Sequence, residues 1–215
     1  MRRFLSLLAL AGAVLATSLA APTHSAPPPL TIAAHPPDLL RNRALTLFGT
    51  IPSDRAMESV QLEARDCGQS LWRVVAQVET SIGGRWTWPY FYPGITASIR
   101  ARWHGMTSAP VRVRDRAYVE LRRHGGRSFG ISVRAKTSFV GRRVLLQRLD
   151  PARGWTTLKE VELTKSGVPP GATYVYSSGR SSASPPAGSL LRAYFPLAAA
   201  RPCYLAGRSN MLRLR

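Results

Sequence analysis

Arginines spaced two apart are the chemically suggestive feature of this sequence. In SIRARW, Ser98 to Trp103, Arg100 and Arg102 alternate with Ile99, Ala101 and Trp103, and in VRVR, Arg112 and Arg114 alternate with Val111 and Val113. Such alternation describes half-buried strands with the apolar residues turned to a core and the arginines turned out. If the two strands are neighbours, four guanidinium groups share one sheet face. The pattern returns near the end of the chain with Arg192, Arg213 and Arg215, beside Tyr194 as a stacking surface. A face of this kind grips polyanions through several simultaneous contacts, and its hold weakens steeply with salt. The whole chain agrees in sign, with 30 Lys+Arg against 11 Asp+Glu and a formal net charge of +19. A GC-rich genome writes Arg, Ala, Gly and Pro cheaply, and the chain is rich in all four, so a passive solvated face is the alternative origin.

A second group is aromatic. GRWTWPYFYPG, Gly84 to Gly94, carries Trp86, Trp88, Tyr90, Phe91 and Tyr92. By parity Trp86, Trp88 and Tyr90 share one strand face. That face is either a row of rings for stacking sugars or the core side of a sheet opposite Trp72 and Trp103. Phe91 and Tyr92 then face outward or cap the loop, where they are candidate ligand contacts together with Tyr194.

Residues for covalent or metal chemistry are thinly spread. There is no Gly-x-Ser-x-Gly elbow and no phosphate loop. His24, His35, His104 and His124 stand at no ligand spacing from one another or from a Cys. Glu160 and Glu162 alternate with Val161 and Leu163, as the solvated face of a strand would. We therefore expect no enzyme, cofactor or metal. Cys67 and Cys203 lie in non-equivalent turns, and two unpaired thiols are expected. SSGRSSASPP, Ser177 to Pro186, reads as a mobile loop.

The elements that would position these residues come in two copies. SVQLEAR, Ser59 to Arg65, aligns with RVLLQRL, Arg143 to Leu149. WRVVAQV, from Trp72, aligns with WTTLKEV, from Trp155. SIRARW aligns with LLRAYF, Leu190 to Phe195, and SAPVRVR, Ser108 to Arg114, aligns with SNMLRLR, Ser209 to Arg215. A self-match of this length in two copies means tandem domains. Each copy alternates apolar and polar residues in about seven short runs between Gly and Pro turns, with no sustained helical period. The fold expected is all-β, two antiparallel sandwiches, with Trp72, Trp103 and Trp155 as core anchors.

The run LTLFGTI…VQLEARDCG…WRVVAQVETSIGGRWTW…IRARWHGMTSAPVRV resembles the immunoglobulin-like repeats of bacterial secreted and surface proteins, through Trp72, Thr80, Gly84 and Trp86. The second copy keeps Trp155 and Thr164 but carries a longer Ser/Pro/Gly insertion. The resemblance implies two tandem immunoglobulin-like domains and little about activity, because such repeats serve as spacers, stalks and binding modules alike. Arg2 and Arg3, the apolar run FLSLLALAGAVLA and Ser18-Leu19-Ala20 read as a signal peptide over residues 1–20. A Pro-rich spacer follows over 21–29, then one domain over 30–115 and another over 116–215. The expectation is a secreted or periplasmic monomer without a membrane span. It would be structural or binding in role, and an anionic envelope polymer, a glycan or another surface protein are its candidate partners.

Overall fold

The computed structural model describes residues 29–38 and 44–214. The expected leader, most of the spacer, and Arg215 lie outside the described residues. The regular structure of the described residues is nearly all strand. In the first half these are β1 (Ala33–His35), β2 (Leu45–Thr50), β3 (Ser59–Asp66), β4 (Arg73–Glu79), β5 (Arg85–Phe91), β6 (Ala97–Trp103), β7 (Met106–Thr107) and β8 (Val111–Val113). In the second they are β9 (Tyr118–Arg123), β10 (Ser128–Ala135), β11 (Arg143–Asp150), β12 (Gly154–Glu162), β13 (Lys165–Gly167), β14 (Val175–Ser182), β15 (Leu190–Phe195), β16 (Gly207–Arg208) and β17 (Leu212–Arg213), with one helical turn, α1 (Leu197–Ala200). No helix among the described residues is long and apolar enough to cross a membrane.

All the sheets are antiparallel, and the two halves repeat one another. One sheet runs β4-β3-β6-β7 with β8 also on β6, and its counterpart runs β12-β11-β15-β16 with β17 on β15. The facing sheets are β1-β2-β5 and β13-β14-β10-β9. Each half buries its own core between its two sheets, as period-two strands require. Leu45, Leu47 and Trp86 meet Val60, Leu62, Ile99 and Ala101 in the first half. Phe129, Ile131 and Val133 meet Val144, Leu146, Ala193 and Phe195 in the second.

Three expectations need correction. Trp72 and Trp155 are not core anchors. Both are half-exposed and lie on the outer side of their sheets, stacked against arginines. The reason is a β-bulge at the same place in each copy: the ladder slips between Leu62 and Glu63 and again between Leu146 and Gln147. One extra residue moves every side chain beyond it to the other face. Trp103 is half-buried, packs against the first core, and donates its indole N–H to Glu58 Oε2 at 2.7 Å. The large core ring of the first half is instead Trp86, only 2% exposed. It lies where a Cβ on Gly49 would strike it and the Thr31 carbonyl, so glycine is required there.

The Ser-rich stretch is likewise not a loop where it begins. Val175–Ser182 is strand β14, paired along its whole length with β10. Ser177 and Ser181 are buried, and Ser177 Oγ accepts the Phe139 amide at 2.8 Å. Gly179 faces inward because a Cβ there would meet the Glu162 carbonyl. Small residues are needed where β12 crosses close above, so the strand lacks the apolar alternation that would betray it.

The third correction concerns the cysteines: Cys67 and Cys203 form a disulfide, with Cα atoms 5.4 Å apart. Their turns are non-equivalent in the repeat, yet they abut where the halves meet. The Cys67 amide donates to the Thr96 carbonyl at 2.8 Å and the Thr96 amide to the Cys203 carbonyl at 3.2 Å. Ile95 joins the second core. Tyr204 Oη receives the Lys136 amide and donates to the Gly94 carbonyl, at 2.9 and 3.1 Å.

Arg114 to Ala117 connects β8 to β9 and is tied down at each step. Arg114 pairs with Asp38 at 2.6 Å, Leu205 N donates to the Asp115 carbonyl at 2.8 Å, and Arg116 reaches the Ala206 carbonyl. Asp115 itself is 3% exposed. Burial lifts its carboxyl from an ordinary 3.8 to about 6, against the pull of the Arg116 amide, Lys136 and the Arg116 charge. The folded chain thus holds this proton more tightly than the unfolded one. Its stabilising contribution is full below about pH 4 and is lost as pH rises through about 6, on the order of 3 kcal/mol in all. Asp115→Asn keeps an oxygen for the Arg116 amide. The variant's stability relative to wild type should therefore rise between pH 4 and pH 7.5, read as urea midpoints. A difference that does not change with pH contradicts the assignment.

Candidate functional site

The arginine face expected from parity forms, but much of it is already satisfied. β8 lies beside β6, with Ser98 opposite Arg112, so Arg100, Arg102 and Arg112 share the outer side of one sheet. Arg114, just past β8, turns to Asp38. Arg100 Nε sits 2.6 Å from Glu63 Oε2, and Arg102 lies 3.6 Å from the other oxygen of the same carboxylate. Arg100 also covers the Trp72 ring at 4.2 Å. Of the four, Arg112 alone has no ion pair among the described residues. The second half repeats the stack, with Arg192 over Trp155 at 4.0 Å and Tyr194 at 5.7 Å. Arg213 is exposed on the same face, opposite Leu190. Burial and the nearby Arg208 lower the pKa of the Arg192 guanidinium.

The aromatic segment divides. Trp86 and Phe91 are in the core, at 2% and 6% exposure, and Trp88 packs against it, so this row is the core side of a sheet. Tyr90's side chain lies outside the described atoms. Phe91 was expected outside. A bulge that pairs Leu45 with Phe91 and Leu47 with Trp88 turns it inward. Tyr92 is half-exposed in a cavity of about 270 Å³ at the junction, with Asp115, Lys136 and Tyr204.

A site that sequence reading missed lies on the outer face of the β13-β14-β10-β9 sheet. The ladders set three rows across it. The first is Arg122, Gly130, Arg180. The second is Glu120, Ser132, Ser178, Lys165. The third is Tyr118, Arg134, Tyr176, Gly167. Small residues in the middle of the first two rows make a floor, and long charged residues stand at their edges, Arg122 and Arg180 on the first row and Glu120 and Lys165 on the second. The groove so formed has a volume of about 470 Å³. His124 overhangs Gly130, where any Cβ would strike its ring. Arg134 is held between the rings of Tyr118 and Tyr174, at 5.0 and 5.5 Å.

No known family model matches the chain, and no curated protein is significantly similar to it.

What the groove can do chemically is set by its charge. It sets four cations, Arg122, Arg134, Lys165 and Arg180, against one carboxylate. Glu120 bonds Arg122 Nε at 2.8 Å and Arg134 Nη2 at 2.9 Å. Burial works against its charge, but these two arginines hold its carboxyl below the ordinary range. Lys165 and Arg180 have no ion pair among the described residues. Their charge is available to a ligand across a floor too shallow to exclude one. The signal in the sequence was the pairing of SSGRSS with FGISVR, two segments of alternating small and cationic residues. Neither half of it reads as a site before the sheet puts them side by side.

Proposed function

We propose that this chain is an extracellular or periplasmic, non-enzymatic binding protein of two tandem immunoglobulin-like domains, and that it holds anionic polymers in the groove of its second domain. The observation that carries this reading is the groove itself: Arg122, Arg180 and Lys165 stand around a floor of Gly130, Ser132 and Ser178, with the lone carboxylate already shared by two arginines. Guanidinium groups suit forked contact with sulfate, phosphate or carboxylate, and tyrosines at the third row suit the flat faces of sugars. The Cys67–Cys203 bridge agrees with an oxidising compartment. The arginine face of the first domain is the weaker candidate, since Glu63 and Asp38 engage three of its four arginines.

Calorimetry with dextran sulfate against neutral dextran tests the proposal. Three charged contacts predict a loss of affinity on the order of 10- to 100-fold between about 50 and 200 mM salt. Changing Arg122, Lys165 and Arg180 together to Gln should remove most of that salt-sensitive binding. The matching change of Arg100, Arg102, Arg112 and Arg114 should leave most of it. The reverse result moves the site to the first domain, and binding untouched by either set ends the polyanion reading.

A further inference from the structure

The internal repeat supplies a comparison within one chain. In the first half the outer-face stack is Trp72, Arg100 and Glu63, with a second cation, Arg102, on the same carboxylate. In the second half Trp155 stands for Trp72, Arg192 for Arg100, and Gln147 for Glu63, at the same step beside the same bulge. Arg192 Nε donates to Gln147 Oε1 at 2.9 Å, so the geometry is kept while the negative charge is gone. The second cation is kept too, by another route. Tyr194 replaces Arg102, and Arg208 on β16 comes in opposite Tyr194. No carboxylate among the described residues pairs with Arg192 or Arg208. Burial and Arg208 both work against the charge on Arg192. The first half thus records what this arrangement binds when complete, a carboxylate held between two guanidinium groups on a tryptophan-backed face.

We propose that Arg192 and Arg208, backed by Trp155 and Tyr194, form a site for a single oxyanionic group (carboxylate, sulfate or phosphate ester) that binds outside the Gln147 amide and supplies the negative charge that Glu63 gives the first half. The site is on the sheet opposite the groove, so it binds independently of it.

The indole N–H resonances of Trp155 and Trp72 report on the two halves separately. Sodium sulfate, phosphate and acetate are titrated into the full chain at ionic strength held constant with chloride. Trp155 should shift along a saturating curve while Trp72 stays still. A larger effect from the first two salts assigns the site to dianions, and an equal effect from acetate assigns it to carboxylates. Gln147→Glu supplies the missing charge internally and should weaken sulfate at least tenfold at Trp155. Glu63→Gln should make Trp72 respond. The exposed Arg208→Gln, which leaves the Arg192–Gln147 hydrogen bond in place, should weaken sulfate several-fold and guards against a Gln147 variant that folds poorly. The triple groove variant should leave the Trp155 curve in place. A Trp155 shift that is linear in salt, or a midpoint unmoved by both Gln147→Glu and Arg208→Gln, overturns the site.

Discussion

Breaking the Cys67–Cys203 bridge should cost about 5 kcal/mol, the largest single loss expected for this chain. The bond spans 136 residues. In the chain-entropy account, a closed loop of that size removes nearly 5 kcal/mol of freedom from the unfolded ensemble. The loss should begin at the junction. Each half keeps a core without the bond, whereas most of the contacts between them are polar: Thr96 with Cys203, Leu205 with Asp115, Tyr204 with Gly94 and Lys136 with Asp66, beside Ile95 in the second core. Denaturation with and without reductant gives the magnitude. Hydrogen exchange at the Thr96 and Leu205 amides gives the place, and these should lose protection before Leu62 or Leu146. A midpoint unchanged by reductant, with two thiols then titratable, is the contrary result.

The next largest effect separates tryptophans that look alike in the sequence. Trp86→Ala empties the middle of the first core and should cost about 3–5 kcal/mol. The site cannot collapse easily, because Gly49 and the Thr31 backbone already stand against the ring. Trp72→Ala and Trp155→Ala remove half-exposed rings whose main partners are the Arg100 and Arg192 guanidinium groups, and about 1 kcal/mol is expected from each. Thermal denaturation of the three variants ranks them. Equal losses for Trp72 and Trp86 would return Trp72 to the core.

Both predictions turn on what one dimension could and could not specify. Period-two alternation in segments such as Val60-Leu62-Ala64 and Ile131-Val133 determined an all-β chain, because a strand's side chains alternate whatever it pairs with. The same rule placed Arg100, Arg102 and Arg112 outside, and the copied order of segments required the two halves to share one sheet plan. Tertiary structure decided the rest. Trp72, Trp155 and Phe91 all lie on the face opposite to the one their spacing implied, and a β-bulge separates each from the residues whose spacing implied it. A bulge is a mismatch between two strands, so it is written in neither strand alone. The Ser177–Gly179–Ser181 face looked like a loop because its inward residues are small, and they are small only because β12 passes above them. The disulfide and the groove share that logic. Cys67 meets Cys203, and Arg122 faces Arg180 across Gly130, through contacts between segments far apart in the chain, which follow from how sheets and halves pack rather than from any local pattern.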